Sequence, residues 1–550
     1  MLASVLAQAQ TAPIPRLVQK DGRYALFVDN APFLVLSAED LMLGVESSWG
    51  PRATVWRAMD FMHVNTVEIA VYWNDFEPEP GVYNYAGIDR LLAEARQHHV
   101  RLAPLWFGTY KNGSQHYTPD WMKRDPARYT HALNRSGEAV DSPSPLCAPM
   151  LQADKRAFAA LMRHIKQVDP QRTVIMVQVE NETGDWQSVR DFSPAAQRAF
   201  EARVPAEVLK AKPPLTPAPA NWPAAYGPNA DEYFNAWSIA RFVGQVAAAG
   251  KAAYPLPMYA NCAVRDPLHP GPANTYESGG PTDNVIDIWK AVAPSLDFEG
   301  PDDYQQSTDA YVRLLDLYHR PDNALFLPET GSPVADHLFF SALGLQAIGV
   351  SAASNSVQSY LLGAENATAD KWVGTRLTEG FVMPWAMNYR LIGPMQREIA
   401  RLSFEGRLKA VAEEPGKVTQ VLPFKSWDAL VSFGTSHGRP PVGNPALNGR
   451  ALVAQLDENT FLVTGYFCHV DFRPAAEADR ASGHAVVGAG QNPSAMIDGR
   501  WLHRQFVRIQ EGVYENGNFK LIRNWNGSEI DWGMDFKDLP VVLRVSIATY

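Results

Sequence analysis

Between about residue 33 and residue 354 the chain repeats one local pattern eight times, a short apolar β-rich run followed by an amphipathic stretch. Strands buried on both faces beneath covering helices demand this alternation, and few other folds produce it. The runs are Phe33 to Ser37, Thr66 to Tyr72, Val100 to Trp106, Thr173 to Val179, Leu256 to Ala260, Leu296 to Glu299, Ala324 to Pro328 and Ala347 to Ser351. Helical patterns between them include Thr54 to Met62, Ile88 to His98, Lys155 to Lys166, Tyr233 to Ala249 and Tyr311 to Leu317. Eight units of this kind predict an α/β fold, a (β/α)8 TIM barrel with insertions.

One insertion is visible in composition. Residues 204–228 are rich in Pro and Ala, which excludes a regular helix or a central strand and predicts a surface excursion after the fourth strand. Past about residue 395 the texture changes to short alternating segments such as Val418 to Leu422, Ala429 to Phe433, Ala451 to Asp457 and Thr460 to Phe467. The expected division is therefore a flexible start over 1–15, a barrel over 16–394 and a smaller, mostly β, sandwich-like domain over 395–550.

Composition removes several classes of function. A formal net charge of -10 with no long Lys/Arg run argues against nucleic acid as a partner. Cys147, Cys262 and Cys468 lie far apart, so neither a zinc site nor a disulfide framework is expected, and no metal or cofactor is assigned. No run of about 20 apolar residues predicts a membrane span. The opening Met1 to Ala9, ending Ala7-Gln8-Ala9, looks like the tail of an export signal, which predicts a periplasmic or extracellular protein; a floppy terminus on a cytoplasmic one is the alternative. Oligomerisation is left open. No serine nucleophile elbow, phosphate-cradling loop or dinucleotide fingerprint stands where a strand meets a helix.

The sharpest chemical signal is Gln178-Val179-Glu180-Asn181-Glu182, at the end of the fourth apolar run. Residues just past a barrel strand's C-terminal end face the mouth. Polar side chains buried there are costly unless they hydrogen-bond or do chemistry; the alternative is a salt-bridged rim. Glu329 ends the seventh run, Leu325-Phe326-Leu327-Pro328, and so reaches the same face, unless it merely starts a helix. Two carboxyl groups across a narrow barrel mouth suit glycosidic cleavage, in which one acid protonates the leaving oxygen and the other attacks or activates water. A separation of roughly 5 Å predicts a covalent intermediate and retained configuration.

These motifs resemble known proteins. Asn181-Glu182 with Glu329 looks like clan A glycoside hydrolases, and Gln178-x-Glu180-Asn181-Glu182-x-Gly184 resembles family 35, the β-galactosidases, which places the chain on an outlying branch near family 42. The resemblance implies Glu182 as proton donor, Glu329 as nucleophile, Asn181 on the sugar 2-hydroxyl and Glu180 on other ring hydroxyls. The segment Trp73-Asn74-Asp75-Phe76-Glu77-Pro78 is similar to the family's loop after strand two, which implies sugar contacts for Trp73, Asn74 and Glu77. Three departures put strict galactose specificity in question: Phe76 replaces the usual His, Pro104-Leu105-Trp106-Phe107 does not reproduce the family's segments, and Ala70 stands where a Tyr is usual. The cysteine zinc cluster of many family 42 members is missing.

Further mouth residues follow from position. Trp106 ends the third run and offers either a ring face to a sugar or a core packing element. Asn261 follows the fifth strand, Tyr304 resembles the tyrosine that bonds the nucleophile in clan A enzymes, and Trp372 lies beyond the eighth strand. Asp302 and Asp303 serve equally well as helix caps. His63, His98 and His99 read as structural or surface side chains. The reading is a retaining β-galactosidase-like enzyme acting on an oligosaccharide or polysaccharide-derived β-glycoside; a β-glycosidase of other specificity and a lapsed carbohydrate-binding protein are its rivals.

Overall fold

The computed structural model describes residues 12–40, 52–331, 335–352, 379–434, 440–475, 496–497, 500–501, 504–515, 517–530 and 533–550. The segment read as an export signal and Trp372 lie outside the described residues.

Eight parallel strands close into a barrel: β1 (Val35–Asp40), β2 (Thr66–Tyr72), β3 (Arg101–Lys111), β4 (Val177–Asn181), β5 (Met258–Ala263), β6 (Phe298–Asp303), β7 (Phe326–Thr330) and β8 (Gly349–Ala352). Every expected run holds one strand, and most strands end later than the apolar run does. β3 reaches Lys111 and β6 reaches Asp303, because backbone pairing continues into polar residues that hydropathy does not mark. Helices follow the strands in turn, from Arg52–Met62 to Glu379–Ile392. His63 and His99 take left-handed backbone angles just past two of them, the position that ends a helix.

The barrel floor is apolar. Val35, Ala103, Ile175, Tyr259, Phe298 and Phe326 form one cluster with Leu26, Val28 and Phe33 from a small antiparallel sheet of Arg16–Lys20, Arg23–Val28 and Ala31–Phe33. Apolar burial, worth about 25 cal/mol per Å², thus seals the end opposite the mouth. The insertion after β4 is less irregular than expected. Short helices Ala206–Ala211 and Trp222–Tyr226 form within it, the second with proline in its first turn, where no intrahelical N–H is needed. Trp222 is buried against Phe234 and Trp237 of helix Ala230–Ala253, which anchors the excursion.

Beyond the barrel, a six-stranded and a four-stranded antiparallel sheet pack face to face. Alternation along one strand shows how the sheets are used. Ala451 and Val453 join the core between the sheets, whereas Leu452 and Ala454 join the barrel's core. Arg450 fixes this junction by donating to Asn388 Oδ1 at 3.0 Å beneath the Tyr466 ring.

Candidate active site

The end of β4 breaks its own alternation. Val179 packs outward with Leu102 and Trp106, so simple alternation would turn Glu180 inward. Instead Glu180 (φ 63°) and Glu182 (φ 41°) adopt left-handed backbone, a sparsely populated region costing of order 1–3 kcal/mol each that marks functional sites. Glu180 is therefore bonded to the neighbouring strand by one oxygen. Its Oε2 accepts from the Tyr110 backbone N–H at 2.7 Å, and burial followed by the charge of Asp154 holds its carboxyl well above the ordinary range. A register shift in β7 between Leu327 and Thr330 flanks Glu329, as bulges beside sites commonly do.

Three carboxyl groups meet at the mouth. One oxygen from each of Glu182, Asp302 and Glu329 lies within 4.8 Å of the others, and all three residues are buried. Glu329 is held from several sides: Asn181 Nδ2 and Asn261 Nδ2 each donate to Oε1 at 3.2 Å, and the Tyr304 hydroxyl donates to Oε2 at 2.8 Å. Asn261 also donates to Asp302 Oδ2 at 2.7 Å and accepts from the Glu182 backbone N–H at 2.9 Å. One amide thus bonds the Asp302 and Glu329 carboxyls and the Glu182 backbone.

The charges are graded by environment. Burial, then the charge of Glu329, pushes Glu182 up to about 7 against the opposing pull of Lys111. Burial and the charges of Glu329 and Glu182 hold Asp302 well above its ordinary value. Burial works against the Lys111 charge, but Glu182 and Glu329 outweigh it and raise the ammonium's pKa. Lys111 Nζ donates to Asn181 Oδ1 at 2.6 Å and so orients the amide that faces Glu329. The three-carboxylate group would suit a hard divalent cation by donor type; Lys111 already supplies a positive charge beside it.

Of the residues expected here, Glu182, Glu329, Asn181, Asn261 and Tyr304 converge, and others do not. Trp106 is fully buried, packs against Trp73 and Phe158, and donates to Asp154 Oδ1 at 2.9 Å; it shares the outward phase of Leu102 and belongs to the core between strands and helices. Trp73 Nε1 donates to Glu77 Oε2 at 2.7 Å, and Glu77 Oε1 accepts from Gly81 N–H at 2.7 Å, so this pair closes its own loop. Asn74 lines a separate cavity of about 450 Å³ with Asp75, Phe76 and Asn84. Lys111 and Asp302 were missed or only half seen as site residues because both sit on strand ends beyond the apolar runs.

Residues 48–212 match the glycoside hydrolase family 42 model, described as beta-galactosidase. Residues 385–537 match a domain of unknown function, DUF5597. No curated protein matches the chain. Among solved structures, a β-galactosidase from Bacillus circulans sp. alkalophilus is similar at 13% identity and a TM-score of 0.47, over 67% of this chain and 57% of that one. A β-galactosidase from the psychrophilic Marinomonas ef1 is similar at 11% identity and a TM-score of 0.48, over 67% and 61%. The catalytic domain of a β-amylase from Paenibacillus polymyxa is similar at 12% identity and a TM-score of 0.45, over 64% and 96%. The chain spans about three fifths of the length of the two β-galactosidases. The motif resemblance was to family 35, whereas the matching model is that of family 42.

Proposed function

We propose that this protein is a retaining β-glycosidase, galactosidase-like in its sugar, that removes terminal β-linked residues by double displacement. The observation that carries this reading is the convergence of Glu182 and Glu329, with one carboxyl oxygen of each within 4.8 Å of the other, a closeness that supports the retaining arrangement, whose carboxyl groups stand roughly 5–5.5 Å apart, over the wider inverting one. Glu329, fixed by Asn181, Asn261 and Tyr304, attacks the anomeric carbon. Glu182, protonated near neutrality, gives its proton to the leaving oxygen and then, as a base, activates water. The galactose preference is supported by the family 42 match over residues 48–212 and by the family 35 motifs around Glu182.

A panel of aryl β-glycosides (galactoside, glucoside, mannoside and α-L-arabinoside) with wild type, Glu182→Gln and Glu329→Gln tests it. Wild type is expected to prefer the galactoside, and each variant to fall by about 10²–10⁴-fold or more. Preference for another sugar overturns the specificity; turnover of none of them favours a carbohydrate-binding protein.

A further inference from the structure

Trp186 is the only tryptophan among the large apolar side chains that the described residues leave exposed, with 52% of its surface open. It is held in place nonetheless. Its Nε1 donates to Glu277 Oε1, and Glu277 is itself buried, with Oε2 lacking any partner. A buried carboxyl oxygen with nothing to bond is costly, which marks it as a position for a ligand's polar group. Burial, followed by the charge of Glu182, holds the Glu277 carboxyl well above its ordinary value.

Three loops clamp this pair beside Glu182. The Gly113 N–H, past the tip of β3, donates to the Glu182 carbonyl at 3.0 Å. A Cβ at Gly113 (φ +66°) would lie 2.8 Å from the Gly184 carbonyl oxygen and 3.2 Å from Trp186 Cδ1, so only glycine lets the loops after β3 and β4 come this close. A Cβ at Gly184 would meet Glu277 Cβ at 2.7 Å, and Asp185 pairs with Ser278, which locks the loop after β5 into the same wall. The indole is therefore presented on a braced surface four residues past Glu182, whose backbone carbonyl the same Gly113 loop holds.

In double displacement the nucleophile and the proton donor flank the bond being cut, and the leaving group departs on the donor's side. Resting on the retaining-glycosidase reading, we propose that Trp186 and Glu277 form the leaving-group subsite, taking a pyranose ring whose apolar face lies on the indole and whose hydroxyl bonds Glu277. A cavity of about 870 Å³ is lined by their chain neighbours Gln187 and Tyr276 together with Arg135, Phe192, Tyr233 and Arg265. Its size and its mixture of aromatic and polar walls suit further sugar units, which makes the substrate class an oligosaccharide cut from its non-reducing end.

Two substrates with the same terminal sugar separate the subsite from the chemistry: a glycosyl fluoride, whose leaving group cannot touch Trp186, and the matching β-linked trisaccharide. Trp186→Ala is expected to lose at least about tenfold in kcat/KM on the trisaccharide and to stay within about twofold on the fluoride. Trp186→Phe, which keeps a ring, is expected to retain most trisaccharide activity and guards against a folding artefact. Equal losses on both substrates, or none on either, overturn the subsite. Wild type that cleaves the fluoride and not the trisaccharide also overturns it, whereas wild type inactive on both overturns the hydrolase reading beneath it.

Discussion

The Tyr304 hydroxyl donates to Glu329 Oε2 at 2.8 Å, while burial and the Glu329 charge hold the phenol well above its ordinary pKa. Tyr304 thus remains a donor at any working pH and fixes one oxygen of Glu329, leaving Asn181 and Asn261 to fix the other. Tyr304→Phe is expected to lower kcat by about 10²–10³-fold, the range for removing one preorganised donor, with little change in KM. A loss confined to KM would show that Tyr304 binds sugar and does not position Glu329.

Lys111 makes the alkaline limb of the pH profile readable. With Glu182 at about 7, kcat/KM is expected to decline as pH rises through that value and the proton donor is lost. The Lys111 charge favours ionised Glu182, so Lys111→Met is expected to move that limb to higher pH. A shift to lower pH would contradict the assignment of the limb to Glu182.

Asp302 separates shape from charge. Burial and the neighbouring acids hold its carboxyl well above the ordinary range, and it accepts the Asn261 amide that also bonds Glu329 and the Glu182 backbone. Asp302→Asn is expected to keep activity within about tenfold, while Asp302→Ala, which frees Asn261, is expected to lose about 10²-fold or more. Equal losses in the two variants would mean that the Asp302 proton itself takes part.

Inside the barrel, Glu68 accepts the Ser37 hydroxyl at 2.7 Å and the Tyr259 hydroxyl at 3.0 Å, yet burial pushes it up to about 8. The unfolded chain releases that proton near pH 4.3. The folded state therefore gains from the retained proton fully below that value, and the contribution is lost as pH rises to about 8. Between pH 5 and pH 8 the denaturation midpoint of wild type is expected to fall more than that of Glu68→Gln. Parallel pH dependence would contradict a buried neutral Glu68.

Sequence periodicity located the eight strands, since burial on both faces leaves an apolar run wherever a barrel strand passes. It also located Glu182 and Glu329, because acids ending such runs have few structural uses. Phase was not legible. The left-handed residues 180 and 182 decide that Asn181, and not Glu180, faces Glu329, and hydropathy carries no mark of them. Trp106 was ambiguous for a related reason: its outward phase shows only once β3 is seen to continue five residues further, to Lys111. The Trp73 and Glu77 motif resembled a sugar-binding loop, but resemblance does not say that the two side chains bond each other. The antiparallel sheet that floors the barrel was not read from the sequence, although it turns at Asp21-Gly22 and Asp29-Asn30, pairs that take left-handed backbone.

The central claim is that Glu329 attacks carbon and Glu182 serves first as acid and then as base. Proton NMR of the first minutes of wild-type hydrolysis of a β-glycoside tests it most directly, by following the anomer released before mutarotation. The account predicts the β anomer first, with the α anomer growing in only at the mutarotation rate. The α anomer appearing first would mean direct attack by water and would contradict the covalent role of Glu329.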